Sequence, residues 1–80
     1  MLDVRGTPAW QIRIYLERLG GVPQPDGTYA GPGWQASLTE GEHQAFGTTV
    51  PRVVVTFTGD PTAAAAAEAA LRLRAMRVGG

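Results

Sequence analysis

Few residues in this chain are equipped for chemistry. His43 is the one histidine; it follows Glu42 and lies near Glu40, which on paper offers an acid beside a base. A general base needs burial, an orienting partner and a substrate pocket. Residues 40–43 read as the polar tip of a hairpin, so a solvated turn is expected there. Gly31-Pro32-Gly33-Trp34 offers a glycine-rich turn and an aromatic face. Phosphate-cradling loops feed the N-terminus of a helix, whereas this turn precedes a strand. It reads either as a ligand loop of Gly31, Gly33 and Trp34 or as a turn followed by a core tryptophan. Gly59-Asp60-Pro61-Thr62 does lead into a helix. There the Asp60 carboxylate serves the free N–H groups itself and Pro61 removes a donor, which disfavours an external anion. No Ser-His-Asp, Cys-His or paired-carboxylate arrangement stands out. The expectation is a protein with no catalytic residues, cofactor or metal of its own.

Composition narrows the function classes further. Eighty residues suffice for one domain, and such a chain buries only roughly 60% of its unfolded surface. Cysteine is absent, which removes disulfides and thiolate metal sites, and a single histidine makes a histidine-based zinc site untenable. Tight packing or self-association is left to stabilise a thin core. Seven basic residues balance seven acidic ones. That balance argues against nucleic acid, which calls for a basic stripe, and against anchoring to anionic lipid. No apolar run approaches the 18 or so residues of a membrane span, and no signal peptide is evident, so a cytoplasmic protein is expected.

The elements that must position these residues follow from periodicity. Leu2 and Val4 alternate with Asp3 and Arg5 as a short strand. Thr7-Pro8 reads as a cap followed by proline at the first helical position, and the helix runs from Pro8 to about Leu19 before Gly20-Gly21. Ala9, Ile12, Tyr15, Leu16 and Leu19 share its core face. Val22 to Gly33 is dense in proline and glycine and reads as a structured loop or short hairpin arm. Trp34, Ala36 and Leu38 form the buried face of a strand, followed by a turn at Glu40-Gly41-Glu42. The return strand carries Val53, Val55 and Phe57 on one face and Val54, Thr56 and Thr58 on the other, with a bulge or edge position at Val50-Pro51. Asp60-Pro61 repeats the cap-and-proline opening for a second helix that reaches about Met76. Arg77-Val78-Gly79-Gly80 is left for a last short strand. This order predicts an α+β domain, the ferredoxin-like βαββαβ sandwich with two helices on one face of an antiparallel sheet, its last strand short or absent.

Two surfaces invite contact. Trp10 and Ile14 lie one turn apart, opposite the core face of the first helix, and form an apolar patch among Arg13, Glu17 and Arg18. They are either an interface or covered by the loop from Val22 to Gly33. The second helix has two stripes, Ala66, Ala69, Leu73 and Met76, and Ala64, Ala67, Leu71 and Ala75. Together with the small core, these features predict a homodimer acting as an interaction or regulatory module. A small-molecule sensor with Trp34 near its pocket is a further alternative.

Gly79-Gly80, preceded by Leu71-Arg72-Leu73-Arg74, resembles the tail of ubiquitin-like sulfur carriers. That resemblance implies a di-glycine tail that is adenylated and thiocarboxylated, with Gly79 and Gly80 as the matching residues. The order of elements departs from the β-grasp, which begins with a hairpin before its helix. In style, the lysine-free, alanine-, arginine- and glycine-rich composition and the run from Pro51 to Pro61 resemble small uncharacterised proteins of the Thermus–Deinococcus group. Such a composition, which also lacks asparagine, agrees with a hot habitat. The likeness implies no activity.

Overall fold

A computed structural model describes residues 1–75. Its longest feature is a hairpin of β4 (Trp34–Ala45) and β5 (Thr48–Gly59), in unbroken antiparallel register from Trp34↔Gly59 to Ala45↔Thr48. β1 (Leu2–Arg5) pairs antiparallel with the other edge of β5, from Leu2↔Val55 to Arg5↔Arg52. β1 and β4 therefore run parallel to each other with β5 between them. β3 (Tyr29–Gly31) pairs with the outer edge of β4, and β2 (Val22–Pro23) pairs with β3. The result is one antiparallel sheet of order β1-β5-β4-β3-β2.

The helices α1 (Ala9–Arg18) and α2 (Pro61–Ala75) cover one face of this sheet. Period-two alternation places Leu2, Val4, Ala36, Val53 and Val55 on that face. Ile12 and Leu16 of α1 and Ala67, Leu71 and Ala75 of α2 close over them. Each fully buried aliphatic side chain of this set stabilises the fold by about 1.5–3 kcal/mol. The α+β class and the two-helix layer agree with expectation, as do the alternation of β5 and the core face of α1. The element order is richer than βαββαβ, with four strands between the helices. Val22 to Gly33 forms the β2–β3 hairpin because Asp26 Oδ1 accepts from the Thr28 N–H at 3.0 Å and its hydroxyl at 2.7 Å, while Gly27 takes a positive φ. The strand expected over residues 77–80 lies outside the described residues.

Two local expectations, the turn at residues 40–42 and the cap of α1, are corrected, and of the bulge or edge position expected at Val50-Pro51 the edge is found. Glu40-Gly41-Glu42 is not a turn but part of β4; the chain reverses at Phe46-Gly47, with φ of 53° and 77°. Two successive positive φ values make the type I′ turn that suits the twist of a hairpin. Pro51 causes no bulge. Its carbonyl accepts from the Gly6 N–H at 2.8 Å, so its missing N–H faces the side on which β1 has ended. Thr7 is not the cap of α1: Pro8 holds that place with ψ 155°, and its carbonyl accepts from Gln11 and Ile12 at 3.1 and 3.2 Å. α2 behaves as read, since Asp60 Oδ2 accepts from the Ala63 N–H at 2.9 Å and Pro61 opens the helix.

On the open face of the sheet, Asp3 of β1 grips Arg52 of β5. Arg52 Nε lies 3.1 Å from both carboxylate oxygens and Nη2 lies 2.8 Å from Oδ2. The guanidinium of Arg52, helped by Arg5, holds the Asp3 carboxyl below its ordinary range. A depressed carboxylate contributes stability above its unfolded pKa and loses it as pH falls through the folded value. Asp3→Asn should therefore lower the thermal midpoint at neutral pH. The difference from wild type should shrink below about pH 4, as both forms become uncharged there; thermal melts across pH 2–7 check this.

Candidate functional site

The residues singled out as a ligand loop come together around Trp34. Pro32-Gly33 joins β3 to β4 as a two-residue turn, with Gly33 at φ +81°. Trp34 itself is 5% exposed, so its indole is a core group and not a stacking platform for solvent-borne ligands. Its ring lies across Gly31: a Cβ on Gly31 would sit 2.1 Å from Trp34 Cε2. A Cβ on Gly21 would stand 3.0 Å from Cη2, and Phe57 meets the ring edge-on with centroids 5.7 Å apart. The exit of α1, the β3 turn and β5 thus converge on one side chain.

Above the indole a cleft of about 300 Å³ opens between the helices, lined by Leu19, Pro32, Ala63, Ala66, Ala67 and Ala70. The alanines follow the i, i+3, i+4, i+7 spacing of a single helix face, a signal present in the sequence although the two stripes read there include only Ala66 and Ala67 of the four. The lining is aliphatic and aromatic, with no charged side chain to orient a ligand.

His43 is half-buried on the open face of the hairpin, opposite Val50. Glu40 and Glu42 alternate to the other face, and Glu40 accepts a hydrogen bond from Arg13 Nη2 of α1 at 3.1 Å. The residues adjacent in sequence are therefore kept apart, and no acid–base pair forms between them. Among the described residues no set of histidine, aspartate and glutamate side chains converges as metal ligands. No helix there is long and apolar enough to cross a membrane.

Trp10 and Ile14 remain uncovered, Trp10 to 63%, because the β2–β3 hairpin packs at the far end of α1. Of the α2 stripes, Ala67, Leu71 and Ala75 face the core, whereas Leu73 points to solvent. Sequence reading missed Phe46, wholly exposed at the hairpin tip. The two-residue Phe46-Gly47 spacing between alternating runs was its signal. Gly79 and Gly80 follow α2 and lie outside the described residues.

Comparison with family models matches residues 1–80 to the family described as Archaeal MoaD-like protein. The match carries no support for the Thermus–Deinococcus likeness. No curated protein matches the chain.

The seat of Trp34 gives a direct test. Gly31→Ala should destabilise the protein by roughly 1–3 kcal/mol, the cost of overpacking against a rigid ring. Gly41→Ala, whose Cβ would meet nothing within 4 Å, should stay within about 0.5 kcal/mol of wild type. Urea titration followed by tryptophan fluorescence distinguishes the two.

Proposed function

Since the chain belongs to the archaeal MoaD-like family, we propose that it is a ubiquitin-like sulfur carrier whose reactive group is the carboxylate of Gly80. The observation that carries this reading is a family match extending over the di-glycine at positions 79 and 80. The chemistry of the chain supports it. Cysteine is absent, so sulfur has no thiol on which to ride as a persulfide. A carboxylate can instead hold it as a thiocarboxylate, and on this reading the backbone carboxylate of Gly80 does so. Glycine at the last two positions leaves the backbone bare, which lets a narrow enzyme channel close around it.

The carboxylate oxygen attacks the α-phosphorus of ATP and pyrophosphate leaves, giving an acyl adenylate. A donor at the sulfide level then attacks the acyl carbon and expels AMP, leaving a thiocarboxylate. Both steps belong to a partner enzyme. The chain is their substrate.

The scaffold we assign to this carrier is ferredoxin-like. The split β1-α1-β4 unit with β5 between its strands supports that assignment, and the β2–β3 hairpin is then an addition at the edge. A helix after the first strand is not the β-grasp order, so the functional reading rests on the family and the tail. We further assign the protein to the cytoplasm, where ATP is at hand.

Pyrophosphate exchange measures the first step. Added to an ATP-containing extract of the source organism, the chain should stimulate exchange of labelled pyrophosphate into ATP. Deletion of Gly80 should return exchange to background, with circular dichroism confirming a folded variant. Undiminished exchange with the shortened chain would refute the assignment of the reactive carboxylate.

A further inference from the structure

From Glu42↔Pro51 outward, the β4–β5 hairpin runs past the ends of β1 and β3 as a two-stranded ribbon with no strand among the described residues on either side. Such a ribbon alone is at best marginally stable in water. It also ends in Phe46, an aromatic residue held at positive φ and wholly exposed. Neither feature benefits an isolated molecule. At the base of the ribbon, α1 turns Trp10 and Ile14 to solvent. The two apolar surfaces do not meet within one chain, as the exposure of both aromatic rings shows.

Their charges and spacings are complementary. Arg18, one turn beyond Ile14, and Glu42, on the helix-facing side of the ribbon, are both exposed and form no ion pair among the described residues. Along α1, Trp10 to Arg18 spans about 12 Å at 1.5 Å per residue. Along β4, Glu42 to Ala45 spans about 10 Å at 3.2–3.4 Å per residue, and Phe46 follows in the turn. A ribbon laid along a neighbouring α1 thus sets Phe46 against Trp10 and Glu42 against Arg18 in the same register.

We propose that the chain forms a reciprocal two-fold dimer in which the 41–50 ribbon of each copy packs along α1 of the other, with Phe46 on Trp10 and Glu42 on Arg18. A second copy is the occupant because each chain carries both the arm and the complementary helix face, as a two-fold interface requires. The dimer covers the ribbon that a monomer leaves bare.

Light scattering on the full chain tests this with variants that separate interface from fold. Wild type should have twice the chain mass at micromolar concentration. Phe46→Asn should halve that mass without lowering the monomer's thermal midpoint, since asparagine tolerates positive φ better than phenylalanine. Arg18→Glu and Glu42→Arg should each be monomeric, because each sets like charges opposite one another twice. An equimolar mixture of the two should recover the dimer, with opposite charges at both contacts. A monomeric wild type, a Phe46→Asn dimer, dimers of both charge variants alone, or a mixture that stays monomeric would each overturn the proposal.

Discussion

An indole ring laid across a bare glycine is the contact on which the helix-bearing end of this protein depends. Trp34 takes the space that a side chain on Gly31 would need, and together with the nearer Leu16 carbonyl it crowds the position of one on Gly21. From this seat it meets Phe57 of β5 and forms the floor beneath the alanines of α2. The same turn supplies the Gly33 carbonyl that accepts from the Asp60 N–H at 2.9 Å, the residue that caps α2. One large ring therefore sets the exit of α1, the attachment of β3 and the start of α2. A chain with no disulfide and a thin core gains much from such a concentrated contact.

The opposite end is built on a different rule. There the hairpin outruns its neighbours and keeps its register through the backbone ladder, the Phe46-Gly47 turn and a hydrogen bond from Gln44 Nε2 to Thr49 Oγ1 at 3.2 Å. Burial gives way to an exposed polar face of Glu42 and Gln44 on one side and the half-buried His43 and Ala45 on the other. The molecule thus divides into a packed scaffold and a projecting arm. The di-glycine at positions 79 and 80 lies outside the described residues.

What was legible in the sequence was the information that acts over short range. Asp60-Pro61 gives a cap and a first helical residue within two positions, and the Asp60 carboxylate meets the Ala63 N–H as that grammar requires. Val53 to Thr58 alternates in face, and Val53, Val55 and Phe57 are the members on the helix-covered side. The hairpin turn was misplaced because glycine is compatible with both a turn and a strand, so Gly41 alone decides nothing. The deciding information is the twelve-pair register that begins at Trp34↔Gly59, a relation between distant residues. The turn residue Phe46 lacks the usual asparagine or aspartate signature of type I′. The apolar cleft was hidden for a similar reason: it needs Leu19 and Pro32 to meet the alanines of α2 across three elements. The tail was visible as two glycines, but bare glycines carry no side-chain chemistry, and the family supplies the meaning.

On the proposed reading, which rests on the family match over residues 1–80, the Gly80 carboxylate is the group offered to a partner enzyme. The most direct measurement is the mass of the C-terminal peptide of the chain purified from its natural source under mild, thiol-free conditions. The account predicts a peptide ending in Gly79-Gly80 in which part of the population has one carboxyl oxygen replaced by sulfur. A peptide that carries only the ordinary carboxylate, or one that continues past Gly80 in the mature protein, would contradict it.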